Sequence, residues 1–216
     1  MDKIGKAAEN KYFLKNNIKY ELNEEVMMSI RILMSIISAK DTYTYQHVKR
    51  VAKYARLIAK GLMLSEENGE KLIYGAYIHD IGKININKDT LIKKAPLNND
   101  EWEEIKRHSK YGWEMVNKIN CFKGMEDISN MVLYLHERYD GGGYPKGLEK
   151  KDIPYLTRIL TVIDSFDAMT SARPYNNKKS YKEGIEELEK CAGTQFDPEI
   201  VESFSRVITE KIFLTI

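Results

Sequence analysis

Apolar residues recur every three or four positions along most of this chain, and this periodicity constrains the fold more than any other feature. Val26, Ile30, Leu33 and Ile37 follow one another at spacings of 4, 3 and 4. Such spacing places them on one face of an α-helix. Comparable stripes continue towards the C-terminus, whereas the alternation typical of β-strands does not occur. The sequence therefore predicts an all-α fold.

The stripes and their capping residues predict one domain with a bundle of about seven or eight helices. The helices are expected to begin near Asn23, Tyr43, Ser65, Asn99, Glu126, Asp152, Tyr181 and Pro198. We expect the third helix to reach Gly82, the fourth to run unbroken to Ile119, and the fifth to reach Arg138. A long loop is predicted over residues 84–98. Residues 1–22 are predicted to be an arm or the remnant of a connection, and residues 23–216 the domain.

The composition excludes several classes of protein. Lys and Arg number 34 against 32 Asp and Glu, so no global positive field favours binding to a nucleic-acid polymer. With 43% apolar and 31% charged residues, we expect a globular protein with no membrane contact. Two cysteines are too few for a disulfide framework. The first twenty residues resemble no signal segment, which favours the cytoplasm.

Histidine is scarce, and its placement indicates a site. The four histidines lie on or beside the apolar stripes of four different predicted helices: His47, His79, His108 and His136. Asp80 follows His79 directly, and Asp164 follows Ile163 in a later helix. Facing helices of a bundle build ligand sites from inward polar side chains, and this nitrogen and oxygen set suits divalent first-row metals. Spacing alone leaves ordinary hydrogen-bonded core histidines as an equal alternative.

Two motifs make the pattern specific. The segment His-Asp-Ile-Gly-Lys at 79–83 resembles the signature of the HD phosphohydrolase superfamily. The segment His-Glu-Arg-Tyr-Asp-Gly-Gly-Gly-Tyr-Pro at 136–145 resembles the extended motif of its HD-GYP branch. Further matches are Tyr43-Thr44, Glu101-Trp102, the stretch from Asp164 to Tyr175, and residues 193–198. The resemblance extends over residues 24–208.

This resemblance implies a metal-dependent phosphodiesterase that hydrolyses the bacterial second messenger cyclic di-GMP to linear pGpG, GMP or both. It implies two divalent ions, iron or manganese. The implied metal ligands are His47, His79, Asp80, His108, His136 and Asp164. Asp80 would bridge the two ions, which makes it a catalytic residue together with Lys83.

The resemblance also implies the substrate contacts. Lys83 corresponds to a lysine that contacts the scissile phosphate, and Arg173 to an arginine that contacts phosphate or guanine. Gly143 and Tyr144 are expected to join the substrate-binding surface. The lysine expected soon after Tyr175 is replaced by Asn176.

The sequence departs from the family pattern at Leu135, which replaces the first member of a consecutive histidine pair. Loss of a metal ligand commonly weakens binding about ten- to a hundredfold, so the second ion is expected to bind weakly. Water, Glu137 or Tyr134 could fill the gap. Tyr43 stands where members with a third metal carry an acidic residue, so we expect no third ion.

Two other functions stay open. A catalytically degenerate domain could act as a cyclic-dinucleotide receptor or as an adaptor that binds proteins through residues 141–145. An HD hydrolase of another phosphate ester is the third alternative, against which the motif at 143–145 argues. We rank the enzyme first because every other ligand position is retained. The apolar stripe at 26–37 could pair two copies as a homodimer, although packing on its own domain is favoured.

Overall fold

The computed structural model describes residues 20–93, 95–171 and 178–213. Within these ranges the chain forms α-helices and short 3₁₀ turns, with isolated β-bridges but no β-strand, so the predicted all-α class is confirmed. The helices are α1 Glu24–Lys40, α2 Thr42–Gly61, α3 Glu66–Ile78, α4 Lys88–Leu91, α5 Asn99–Lys106, α6 His108–Val116, α7 Glu126–Tyr134, α8 Tyr155–Thr170, α9 Tyr181–Lys190 and α10 Pro198–Phe213. The 3₁₀ segments are Ile81–Asn85, Asn120–Phe122 and Lys150–Asp152.

The number of helices differs from the predicted seven or eight. In the described ranges nine helices have eight residues or more, and α4 adds a single turn. The difference arises because the helix predicted over 99–119 is broken at Arg107. His108 Nδ1 lies 2.6 Å from the carbonyl oxygen of Ile105, so the imidazole occupies an acceptor that a continuous helix would pair with the backbone.

Two predicted helix ends are also wrong. Helix α3 ends at Ile78 rather than at Gly82, and a 3₁₀ turn continues the chain. Helix α7 ends at Tyr134 rather than at Arg138. The predicted loop at 84–98 contains α4 and the end of that 3₁₀ turn. Helix α3 ends directly before His79, and helix α7 ends two residues before His136, so both histidines lie in turns just beyond a helix end.

Helix α1 packs on its own domain, as the sequence favoured. Its N-cap Asn23 accepts hydrogen bonds from the N–H groups of Glu25 and Val26 at 2.9 and 3.1 Å. Its buried stripe is Val26, Ile30, Met34 and Ile37, so Met34 occupies the inward position predicted for Leu33. Tyr20, just before the helix, is also buried. The domain division at residue 22 stays a prediction, since residues 1–19 lie outside the described ranges.

The core surrounds α8, which packs against α2, α3, α7, α9 and α10. Its fully buried apolar side chains are Ile159, Leu160, Val162, Ile163 and Phe166. Helix α2 runs beside it with Val48, Val51 and Ala55 turned inward. This arrangement brings one face of α8 towards α2 and the end of α3. Among the described helices, none combines the length and the apolar character that crossing a bilayer requires.

Candidate metal centre

Three residues from three elements form a compact group of potential ligands. His47 lies on α2, His79 directly follows α3, and Asp164 lies on α8. Each offers one ligand atom, and these atoms lie within 4.8 Å of one another. His47 Nε2 lies 2.8 Å and His79 Nε2 3.7 Å from Asp164 Oδ1. The tertiary structure thus brings together residues that are up to 117 positions apart in the chain.

Asp80 lies at the centre of the wider cluster. Its Oδ2 is 2.7 Å from Lys83 Nζ, 3.5 Å from His79 Nε2 and 4.0 Å from His47 Nε2. Its Oδ1 is 3.7 Å from His108 Nε2. Burial opposes ionisation of this carboxyl, but Lys83 and the neighbouring histidines outweigh it and hold the pKa of Asp80 well below its ordinary value. The carboxylate is therefore charged and faces histidines on two sides.

The other side of the cluster consists of His108 and His136. Their Nε2 atoms are 3.0 Å apart. Because His108 Nδ1 donates to Ile105, a neutral His108 accepts at Nε2 from the N–H of His136. Burial lowers the pKa of His136 to about 3, and the neighbouring His108 adds to this effect. Burial likewise lowers the pKa of His108. Both imidazoles are neutral, which is the form that binds metals.

On the side of the cluster that contains His47, the histidine pKa is raised rather than lowered. Burial opposes protonation of His47, yet hydrogen bonds to Asp164 and Asp167 outweigh it and raise its pKa to about 9. Burial also opposes ionisation of Asp164, but the hydrogen bond from His47 lowers the pKa of Asp164 below its ordinary value. Asp80, Asp164 and Asp167 therefore favour a positive charge on this side, which the proton on His47 carries and which a bound metal ion would replace.

Gly82 explains how Asp80 and Lys83 come close to His108. A Cβ at Gly82 would collide with the carbonyl oxygen of His108 and lie 2.5 Å from the backbone nitrogen of Gly112. The 3₁₀ turn after α3 therefore packs directly on the backbone of α6. We predicted Gly82 as a helix stop, whereas its role is this close approach.

The segment 136–145, called here the GYP loop, folds back over His136. A Cβ at Gly143 would lie 2.5 Å from the carbonyl oxygen of His136, so only glycine fits. The Tyr144 N–H donates to that same oxygen at 3.2 Å. The Tyr144 ring stacks on the His136 imidazole with centroids 5.0 Å apart. Gly143 and Tyr144 thus lie beside the cluster, and their contact with substrate stays a prediction.

Glu137 holds this loop in place. Its buried carboxylate accepts hydrogen bonds from the N–H groups of Lys146 and Leu148 at 2.7 and 3.0 Å. Both oxygens are therefore engaged, which argues against the suggestion that Glu137 fills a gap among the metal ligands. Farther along the loop, the Asp140 N–H donates to the carbonyl of Thr194 at 2.8 Å, which ties the GYP loop to residues 193–198.

Leu135 is buried in the apolar core, at 2% exposure. Its carbonyl oxygen accepts a hydrogen bond from Thr161 Oγ1 at 2.9 Å, so its backbone helps join the end of α7 to α8. Arg173 lies outside the described residues, as does Asn176, and the role expected for Arg173 stays a prediction.

Sequence reasoning missed Asp167 and Arg50. Asp167 is completely buried and lies 2.7 Å from His47 Nδ1, and Arg50 binds it through Nε at 2.7 Å. The signal was present, because Asp167 follows Asp164 by three residues and Arg50 follows His47 by three. Residues three apart lie on the same face of a helix.

The chemistry of these donors fits a divalent cation. His79 Nε2 is buried and has no hydrogen-bond partner among the described residues, although its Nδ1 donates to Ala76 at 2.9 Å. An unpaired buried nitrogen is costly unless a further group binds it. With Asp164 and His47 close by, a metal ion is the group that this nitrogen and oxygen set would bind. The fold and the site define an all-helical protein with a buried histidine–aspartate cluster that could hold a metal.

The profile of the HD domain family matches residues 31–200, and the chain therefore belongs to that family. The chain is 34% identical to a cyclic di-GMP phosphodiesterase of Thermotoga maritima, over 95% of this chain and 56% of that protein. It is 36% identical to the cyclic di-GMP phosphodiesterase response regulator RpfG of Xanthomonas campestris pv. campestris, over 86% of this chain and 49% of that protein. The predicted relationship to HD-GYP proteins is confirmed.

Other relatives act on a different cyclic dinucleotide. The 3'3'-cGAMP-specific phosphodiesterase 3 of Vibrio cholerae is 34% identical, over 80% of this chain and 37% of that protein. The chain thus spans about half the length, or less, of these curated relatives.

Solved structures agree on the fold. The crystal structure of a V. cholerae cyclic GMP-AMP-specific phosphodiesterase aligns with a TM-score of 0.64 at 19% identity, over 86% of this chain and 50% of that one. The HD domain of the L. monocytogenes phosphodiesterase PgpH aligns with a TM-score of 0.55 at 17% identity, over 83% of this chain and 96% of that one.

Proposed function

We propose that this chain is a metal-dependent phosphodiesterase that hydrolyses cyclic di-GMP to linear pGpG, GMP or both. The observation that carries the proposal is the position of Asp80. One carboxylate lies 2.7 Å from the Lys83 ammonium and within 4.0 Å of histidines on both sides of the cluster. Its relatives named for phosphodiesterase activity on cyclic dinucleotides support the same reaction class.

The residues that would hold metal fall into two sets. His47, His79, Asp80 and Asp164 would hold the first ion. Asp80, His108 and His136 would hold a second, and the presence of leucine at 135 makes that ion the weaker one. Iron and manganese accept such mixed ligands. Bound there, a divalent ion would supply Lewis-acid stabilisation of charge on a phosphoryl oxygen.

Lys83 would stabilise the substrate phosphate directly. Its ammonium lies on the cluster side of the 3₁₀ turn, 2.7 Å from Asp80 Oδ2, and its side chain is 24% exposed. A positive group already held in place needs little reorganisation when negative charge develops on the phosphate. The ion pair with Asp80 holds the Lys83 ammonium in place. Gly82 allows the 3₁₀ turn that carries Lys83 to pack against the backbone of α6.

An aromatic and cationic surface beside His136 would receive the nucleotide. The Lys106 ammonium lies 5.7 Å from the centroid of the Tyr144 ring and 5.9 Å from that of Trp102. Trp102 is 47% exposed. Aromatic faces stack on nucleobases, and cations attract phosphates, so this surface suits a cyclic dinucleotide. Arg173 would add a further contact to phosphate or guanine.

The test is anaerobic turnover of cyclic di-GMP by protein loaded with Fe(II) or Mn(II), with products separated by chromatography. We expect linear pGpG or GMP, and no product from the Asp80→Ala control under the same conditions. A parallel assay with 3'3'-cGAMP tests specificity, and faster turnover of that substrate would overturn the preference for cyclic di-GMP. Equal product from the control would overturn the assignment of the site.

A second candidate function is a receptor or adaptor without catalysis, and Leu135 is the observation that favours it. The outer part of the GYP loop is exposed at Gly142 and Pro145, which would leave it accessible to a protein partner. Calorimetric binding of cyclic di-GMP by folded, metal-loaded protein that yields no product would support this candidate over the enzyme.

A further inference from the structure

We infer that Asp167 is a positioning residue that orients His47 for metal binding, an inference that rests on the proposed metal site. Asp167 Oδ2 lies 2.7 Å from His47 Nδ1, so the Nδ1–H group donates a hydrogen bond to the carboxylate. The opposite nitrogen, Nε2, is then the metal-binding atom, and it points to Asp164 at 2.8 Å. Asp167 contacts His47 at Nδ1, on the side of the ring away from the cluster, and therefore acts through His47.

The carboxylate of Asp167 is held rigidly. Arg50 donates to Oδ1 through Nε at 2.7 Å and to Oδ2 through Nη2 at 2.9 Å. Ser171 Oγ donates to Oδ1 at 3.0 Å. Asp167 is completely buried, and such a charge is tolerated only when it is paired and hydrogen-bonded. The two-point contact with Arg50 fixes the plane of the carboxylate and, through it, the angle of the imidazole.

His47 differs from the other candidate ligands because the partner of its Nδ1 is the carboxylate of Asp167. His79 Nδ1 donates to the carbonyl of Ala76 at 2.9 Å, and His108 Nδ1 donates to the carbonyl of Ile105 at 2.6 Å. All three imidazoles thus present Nε2 towards the cluster. Among these three histidines, only His47 has a carboxylate as the hydrogen-bond partner of Nδ1. Such a partner makes a metal-binding imidazole more basic and fixes its tautomer.

The chain offers a matched control in Asp197. This residue is also buried and forms an ion pair with an arginine, Arg158, but it lies at the start of α10 and contacts no histidine. Its Oδ1 accepts from the Glu199 N–H at 2.9 Å. A variant at Asp197 therefore removes a buried aspartate–arginine pair without touching the cluster.

The experiment compares Mn(II) affinity, measured by calorimetry, in wild type, Asp167→Asn and Asp197→Asn. We expect Asp167→Asn to weaken Mn(II) binding about ten- to a hundredfold, and Asp197→Asn to lower only the melting temperature. The visible spectrum of the Co(II)-loaded protein should change in Asp167→Asn and not in Asp197→Asn. Equal Mn(II) affinity in wild type and Asp167→Asn would overturn the inference.

Wild type that binds no Mn(II) would instead overturn the proposed function, so the two failures are distinguishable. If Asp167→Asn does not fold, Arg50→Lys takes its place. Lysine keeps the positive charge but loses the two-point contact with Asp167. We expect Arg50→Lys to weaken Mn(II) binding less than the loss expected for Asp167→Asn. An Mn(II) affinity of Arg50→Lys equal to that of wild type would overturn the inference.

Discussion

The two sides of the cluster share Asp80 but are built differently. On one side, His47, His79 and Asp164 place their ligand atoms within 4.8 Å of one another. On the other side, His108 and His136 lie 3.0 Å apart at Nε2, and the position before His136 is leucine. The first side has an aspartate of its own, whereas the second depends on Asp80 for its carboxylate.

The position at which the resemblance predicts a further histidine has a structural role in this chain. Leu135 packs in the core, and its carbonyl oxygen still accepts the hydrogen bond from Thr161. The second side therefore has two imidazoles and no aspartate of its own, and the Leu135 carbonyl joins the end of α7 to α8. Four experiments test this difference between the two sides of the cluster.

Removal of the residue common to both sides should have the largest effect. Asp80→Ala is expected to abolish turnover and metal retention together, because it leaves both sides without their shared carboxylate. Product chromatography and metal analysis by mass spectrometry measure the two losses on the same preparation. Activity that survives in the folded variant would contradict a centre in which Asp80 serves both sides.

Removal of Lys83 should separate catalysis from metal binding. We expect Lys83→Ala to lower kcat about 100- to 1,000-fold, the range seen when one preorganised group that stabilises developing charge is removed. Metal content should stay at the wild-type level, because an ammonium is not a metal ligand and the role proposed for Lys83 is to bind phosphate. Loss of metal in this variant would instead assign Lys83 a role in holding Asp80.

Alanine variants on each side test the asymmetry directly. His47→Ala should weaken the tighter Mn(II) site about ten- to a hundredfold, whereas His136→Ala should affect only the weaker site. Calorimetric titration with Mn(II) resolves the two steps. If His136→Ala weakens the tighter step as much as His47→Ala does, the two sides are equivalent and the comparison fails.

Restoration of the missing imidazole should have the smallest effect. Leu135→His is expected to tighten the weaker Mn(II) site about tenfold, by returning one neutral nitrogen to it. A buried histidine without a partner destabilises a core, so the melting temperature should fall without metal and recover when Mn(II) is added. A fall that Mn(II) does not reverse would show that an imidazole at position 135 does not reach the cluster. Leu135→Met, which stays apolar, is the matched control.

The helices were predictable from the sequence, and several of their ends were not. The stripe that begins at Val26 marks α1 correctly because periodicity reports which face of a helix is buried. The ends of α3 and α7 were predicted four residues too late, since nothing local stops them there. Gly82 looked like a local stop, but it serves an approach to His108 that exists only in the folded chain.

The candidate site was likewise predictable in part from the sequence. The residue types that could hold metal were visible in the sequence, because four histidines and two aspartates lie on or beside predicted helical stripes. Asp167 was missed, since a charged residue in a helical pattern is ordinarily exposed, and Glu137 was considered only as a substitute metal ligand and not as the residue that holds the GYP loop. Their importance follows from burial at 0% and 2% exposure and from partners on other segments.

The all-α class, the family motifs and the set of potential ligands follow from the sequence alone, because helical periodicity and motif spacing are local properties of the chain. The tertiary structure decided which nitrogen of each histidine faces the cluster and which carboxylate supports His47. It also decided that Leu135 lies in the core. These features depend on hydrogen bonds and packing between distant segments, such as Asp167 with His47, which lie 120 residues apart.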